Sequence, residues 1–441
     1  MKKKVLSIAT MLLGVMVLAT GCGKSESASS TGEDATKAER VEKAELTVYA
    51  PKGKNTDWLV GVTERYNEKY QTEISIKSTD VAPPAITQKL TPLLIGKETL
   101  PDLSYIEDSA ITGLVSKFPS SFENLTKNGY EEKFAEEIYP TKLSSIKATA
   151  PENDLYGFPQ DLGMVMMFYR QDLFEEAGVT IDEVKTWDDL IEAGKKIKEK
   201  TGTELMALDA NGETSLVTYI MQQQDTPPID KDGNSNLATT AAKNALKIVD
   251  KLKEADVVAY YSSDKDRYTT FQQCAVIIEG TWLAGNMQNN YPDQAGKWRI
   301  APLVNYSDSD QGKSPVNGGS SWYVGANAKN KNAAMQLMEF AVLDQESQGD
   351  LLSRGSASTL LSAYDTEAGQ AGFPYFGEQK IYDAIRAAGE NAIEIYYYPY
   401  ASDGNSYLKM AVYDYWKGTD LDKALKKNAD EFAQKYNIEV N

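Results

Sequence analysis

The chain has 441 residues, a formal net charge of -18 and no histidine. The charge disfavours nucleic acid, which asks for a basic surface, and the missing histidines remove Ser-His-Asp and Cys-His catalysis and the commonest zinc ligand. With 26 Tyr and 6 Trp against 11 Phe, the rings lean toward those with a polar tip, which suit recognition surfaces as well as core boundaries.

The N-terminus reads as a secretion signal. Lys2, Lys3 and Lys4 form a basic start, Val5 to Ala19 is an uncharged apolar run, and Thr20-Gly21 precede Cys22. The run is shorter than the about 20 residues that a spanning helix needs. Leu18-Ala19-Thr20-Gly21-Cys22 resembles the bacterial lipoprotein signal, with Ala19 where Leu is commonest. That resemblance implies removal of residues 1–21, lipid on Cys22 (palmitate among its chains) and a place on the outer face of the cell membrane. An ordinary cleaved signal with an incidental cysteine is the alternative. A lipidated Cys22 leaves Cys274 without a disulfide partner. Residues 22–44 then make an anchor and tether, since the stretch after Gly23 is polar, lacks aromatics and cannot build a core.

Order is expected from Glu45. Leu46 to Tyr49 reads as a strand. Asn55 or Thr56 can cap a helix whose apolar positions Leu59, Val62, Tyr66 and Tyr70 step by three or four. Ile74 to Ile76 is a second strand, Ile86, Leu90 and Leu94 mark a second helix, and Leu103 to Ile106 is a third strand. This βαβαβ order predicts a parallel sheet with helices on both faces. A second unit repeats the logic: a strand at Met164–Tyr169, a helix at Asp172–Ala177, and a capping box at Thr186 and Asp189 opening a helix that ends by Gly202. Then come a strand at Leu205–Leu208, a helix at Thr240–Ala255 and a buried strand at Ala275–Ile278. Trp322–Val324 is a strand, and Asn332–Val342 and Leu421–Tyr436 are helices. Gln222-Gln223-Gln224 reads as a polar helix end. Asp230 to Asn236 has oxygen side chains at alternate positions, but its glycine is misplaced for a calcium loop and an Asp-Gly turn is favoured.

Several segments together carry a family resemblance. Leu100-Pro101-Asp102-Leu103, Tyr156-Gly157-Phe158-Pro159, Phe168-Tyr169-Arg170-Gln171-Asp172-Leu173-Phe174, Ala177-Gly178, Thr186-Trp187, Ala275 to Trp282, Asn317-Gly318-Gly319 and Lys329 to Ala334 stand in one order. From about Leu46 onward the chain resembles the extracellular solute-binding proteins of carbohydrate ABC importers (family 1). The resemblance implies an α/β, periplasmic-binding-protein-like fold: two α/β lobes joined by crossing hinge segments, with the ligand cleft between them. Lobe 1 would take about 45–158 and 313–354, and lobe 2 about 159–312 and 355–441. It implies closure around ligand and delivery to a membrane permease.

A sugar asks for flat rings against its C–H faces and for side chains that donate and accept along its rim. Trp282, after a buried strand and a glycine, is the first candidate, and the resemblance puts the family's stacking Trp there; packing on the next helix is the alternative. Asp161 follows the Tyr-Gly-Phe-Pro crossing and could accept from two hydroxyls or start a turn. Glu107 and Asp108 stand at the carboxyl end of the third strand, where ligands of parallel sheets bind, or cap the next helix. Tyr49 and Trp58 flank the first strand-to-helix loop, and Trp58 could equally be core. Gly318, Gly319 and Ser320 let backbone approach a ligand, although the family often has an aromatic where Ser320 stands. Arg354 could fork onto hydroxyls or join a surface ion pair. Tyr396, Tyr397, Tyr398 and Tyr400 crowd around Pro399; strand alternation would send two to the cleft, with Tyr398 and Tyr400 preferred.

The leading reading is a monomeric binding protein for an oligosaccharide, partnered by ABC permease subunits and by the membrane through its lipid. No cofactor, metal ligand or catalytic residue is assigned. The alternatives are a secreted glycoside hydrolase, which needs two carboxylates roughly 5–10 Å apart, a binder of peptides or polyamines, and an adhesion lipoprotein.

Overall fold

The protein is described from a computed structural model, which covers residues 39–308 and 310–441. The predicted signal, Cys22 and most of the tether lie outside these residues. β1 (Lys43–Ala50) alternates exposed and buried side chains, the period of a strand with one face on a core. It starts two residues before the expected Glu45, because Lys43 is already in register with Glu73. The segment ahead is held too. The Arg40 guanidinium stacks 3.5 Å from the Tyr70 ring centroid and donates to the Tyr66 hydroxyl at 2.9 Å, and the Val41 N–H donates to Gln336 Oε1.

β1 pairs in parallel with β2 (Glu73–Asp80) and β3 (Leu103–Glu107). The crossovers that parallel neighbours require are α1 (Lys54–Tyr70) and α2 (Pro83–Gly96); α3 (Asp108–Lys117) follows β3. α1 buries Leu59, Val62 and Tyr66, as its spacing predicts, and Trp58 with them, while Tyr70 at its end is only half-buried. Its start differs from expectation. Neither Asn55 nor Thr56 caps it; Gly53, at φ 108, turns the chain and Lys54 is the first helical residue, a conformation glycine adopts without a Cβ penalty.

The later strands are β4 (Gly157–Pro159), β5 (Val165–Arg170), β6 (Met206–Asp209), β7 (Val258–Tyr261), β8 (Val276–Gly280), β9 (Trp298–Pro302) and β10 (Ser320–Val324). They complete a five-stranded sheet, β2-β1-β3-β10-β4, and build a three-stranded sheet, β8-β5-β9, and a β6-β7 pair. The first three strands are parallel as predicted, but β10 runs antiparallel to β3 and β4 because it returns from the other sheet. The second unit does not repeat the parallel logic. β5 is antiparallel to both neighbours, and the parallel β6 and β7 pair with each other instead. The capping box forms: Thr186 Oγ1 accepts from the Asp189 N–H, and Asp189 Oδ2 from the Thr186 N–H.

Two stretches carry the chain between the sheets, 160–164 and 303–319. Where they meet they are antiparallel, with Met164 bridged to Val316. The Asn317 N–H donates to the Gly163 carbonyl at 2.7 Å and the Val165 N–H to that of Pro315 at 2.8 Å. They lie so close that a Cβ on Gly163 would stand 2.4 Å from the Asn317 carbonyl oxygen. The polar end of helix Ser215–Gln223 is put to use here. Gln222 Oε1 accepts from the Val316 N–H at 2.7 Å, and Gln223 donates to the Val304 carbonyl at 2.8 Å. The Asp230 loop is a turn in which Asp230 Oδ1 accepts the N–H groups of Asp232 and Asn234. Among the described residues no helix is long and apolar enough to cross a membrane.

Candidate functional site

A cavity of about 1280 Å³ opens where β3, the β1–α1 loop, the two stretches between the sheets and the tip of β8 come together. The sequence brings these pieces to one place simply. The first loop and the end of β3 lie at the carboxyl edge of a parallel sheet, where loops converge. Gly280 ends β8 and releases the chain into helix Trp282–Asn290. A side chain at Gly280 would stand 2.4 Å from the Trp282 indole nitrogen, so the Gly-x-Trp spacing is what lets the ring lie at the wall.

Of the residues proposed from sequence, Trp282, Asp161, Glu107, Gly318, Gly319, Ser320 and Arg354 line the cavity. The others do not. Trp58 is 0% exposed in the core, with its indole N–H on the Ser347 carbonyl at 2.7 Å; it lies on the inward face of α1, so the duller reading holds. Tyr49 packs against the cluster that α2 covers. Asp108 is buried under the wall, paired with Lys142 and accepting from the Ser321 hydroxyl at 2.8 Å. Tyr398 and Tyr400 stack on each other and Tyr400 on Tyr436, and their hydroxyls donate to the Lys231 and Gly233 carbonyls. The segment is a loop, not a strand, so alternation does not apply; Tyr396 and Tyr397 reach the cavity instead.

Sequence reasoning missed Lys54, Asn55, Tyr105, Tyr219 and Gln222, which also line it. The one available signal was position: Lys54 and Asn55 follow the first strand, the edge that had already nominated Tyr49. With Asn286, Asn289, Asn317 and Asn405, the wall becomes a set of rings and amides, groups that both donate and accept.

The two guanidinium groups at the wall are matched by carboxylates. Arg354 forks onto Asp350 at 3.2 and 3.3 Å, so the ion-pair alternative holds for it even at the wall. Arg267 pairs with the buried Glu279. Asp161 takes the Ser320 N–H on one oxygen at 2.7 Å and the Tyr105 hydroxyl on the other at 3.4 Å. Burial pushes its carboxyl up, against the pull of Lys142 and Lys54. Glu107 is pushed up by burial and then by Asp161 and Asp108. Lys54 is pushed down by burial, with Asp161 opposing, and its ammonium donates to the Trp282 carbonyl at 3.4 Å, reaching from one side of the cavity to the other.

Two sheet-bearing lobes, hydrogen-bonded connections between them and a large cavity at their junction define a two-lobed solute-binding protein. The profile described as bacterial extracellular solute-binding protein matches residues 52–348, and the chain belongs to that family, as the ordered motifs predict. A lactose-binding protein of Rhizobium radiobacter is 32% identical over 379 residues, 84% of this chain and 87% of that one. An arabinooligosaccharide-binding protein of Bacillus subtilis (strain 168) is 24% identical over 361 residues, 80% and 79% of the two chains. Among solved structures, the ABC transporter associated binding protein from B. animalis subsp. lactis Bl-04 in complex with beta-1,6-galactobiose matches with TM-score 0.71 and 20% identity, over 91% of this chain and 100% of that one. That last likeness speaks for the fold.

Proposed function

We propose that this protein captures an oligosaccharide for an ABC importer, closing its lobes on the sugar and presenting it to a membrane permease. The cavity carries the reading. At about 1280 Å³ it exceeds the roughly 300–1,000 Å³ that drug-sized ligands occupy, and its wall combines Trp282 and several Tyr rings with amides and hydroxyls. Both wall guanidinium groups already have carboxylate partners, which favours a neutral ligand over a charged one. The names of the two curated relatives point the same way.

We assign lobe 1 to about 45–158 and 313–354 and lobe 2 to about 159–312 and 355–441, a division that the two sheets support as far as β10, the last strand. A ligand touching both lobes stabilises the closed state over the open one. Trp282 is assigned to stacking, and Asp161, Glu107 and the Gly318–Ser320 turn to hydroxyls. The chain is assigned as a monomer held at the outer face of the membrane by lipid on Cys22, which incorporation of labelled palmitate, abolished by Cys22→Ser, would test.

The test of function is a glycan panel, with lactose, arabinooligosaccharides and beta-1,6-galactobiose in it, read by thermal shift and calorimetry. A true ligand at 100 times its Kd adds about 2.7 kcal/mol and is recovered intact by chromatography. A response to amines or peptides alone, or release of shortened sugars, would refute the reading.

A further inference from the structure

Beneath the wall at Gly319 lies a buried cluster. Lys142, on helix Pro140–Lys147, is 6% exposed and Asp108 is 3% exposed. The ammonium has three protons and three acceptors: Asp108 Oδ2, the Asp161 carbonyl at 3.1 Å and the Ser320 carbonyl at 3.1 Å. Asp161 stands on the outgoing connection between the sheets, and Ser320 opens β10 at the end of the returning one. Lys142 therefore ties the outgoing connection to the first residue of β10, where the returning one ends, from a helix that belongs to neither. Gly319, at φ 101, lies directly over the pair; a Cβ there would stand 3.0 Å from Asp108 Oδ2 and 3.3 Å from the ammonium.

A buried ion pair contributes little net stability, because desolvation offsets its attraction and apolar replacements often do as well. Its use must be sought in what it fixes. We propose that Lys142 is a positioning residue for the ligand site: by gripping the Asp161 and Ser320 carbonyls it sets the register of the two connections, and with it the placement of the Asp161 carboxylate and the Gly318–Ser320 turn at the cavity wall. Asp108 neutralises the ammonium so that it can sit there. This rests on reading the cavity as the sugar site.

The test uses the full chain, Lys142→Met, and the double variant Asp108→Asn with Lys142→Met, which leaves no orphaned charge in the core. Hydrogen exchange of the unliganded protein is expected to rise at least about tenfold in 160–163 and 316–321 in both variants, with other segments unchanged. Affinity for the panel glycan that binds the wild type is expected to fall about tenfold in both. Wild-type exchange in the double variant, a uniform rise along the chain, or a local rise with unchanged affinity would each overturn the proposal. If the wild type takes up no panel glycan, the sugar reading fails, and the exchange pattern alone decides the role of Lys142.

Discussion

Asn317 and Glu279 are joined by a 2.8 Å hydrogen bond where the returning connection passes the tip of β8. The same amide nitrogen lies 2.6 Å from the Tyr219 hydroxyl, and the Glu279 oxygen also takes the Gly280 N–H at 3.0 Å. Glu279 is 1% exposed, so its carboxylate depends on these donors and on Arg267 instead of on water. Asn317→Ala removes one of them. A loss of about 1–3 kcal/mol in stability is expected, read by denaturant melts, together with weaker glycan binding, since Asn317 also lines the cavity.

Trp282→Ala is expected to lower glycan affinity by at least about 30-fold, the loss typical of a buried aromatic anchor, with Trp282→Phe keeping part of it. Calorimetry measures both. An unchanged Kd for the alanine variant would remove Trp282 from the site.

The pH dependence has two opposite signs. Glu107 and Asp161 have carboxyls pushed above their ordinary values. Such a group takes up its proton more readily folded than unfolded, so its contribution to unliganded stability improves as pH falls through the raised pKa. Glycan affinity is expected to move the other way, because protonation removes an acceptor, and to start falling above the usual carboxylate value of about 4. Titrating Kd downward from pH 7 measures this, and Glu107→Gln should flatten the curve.

Trp58→Phe is expected to cost about 1–2 kcal/mol, through the lost bond to the Ser347 carbonyl and the lost volume. A saturating glycan should still raise the variant's melting temperature by the wild-type amount, because Trp58 is core.

Gly163→Ala drives a methyl into the Asn317 carbonyl, main chain that cannot swing aside. Stability is expected to fall by about 1–3 kcal/mol, with slower and weaker glycan capture in stopped-flow fluorescence. Gly163 belongs to no motif, and only the approach of the two connections gives it a role.

What could be read from the sequence was local or periodic. The Thr186 capping box lies within four residues, and the helix Leu421–Tyr436 follows its apolar spacing to both ends. The edge of the first sheet nominated Glu107 and, by a near miss, the loop that holds Lys54. What escaped depends on distant partners. β9 has a proline at its end and is defined by pairing with β5, more than a hundred residues earlier. Tyr396 and Tyr397 differ from Tyr398 and Tyr400 only in what the fold offers them, cavity in one case and Tyr436 with two loop carbonyls in the other. Asp108 looked like a ligand contact because nothing in its neighbourhood announces Lys142.

α1 has the cavity at its first residues and Arg40 stacked on its last turn. A helix of 17 residues is about 25 Å long, so it acts as a spacer bar. Arg40 lies at the end of that bar away from the cavity. Arg40 and Val41 make their contacts with Tyr66, Tyr70 and Gln336, on α1 and helix Lys331–Leu343, and not with the residues around Trp282. If the proposed lipid on Cys22 holds the protein to a membrane, its pull arrives at the far end of the bar from the cavity.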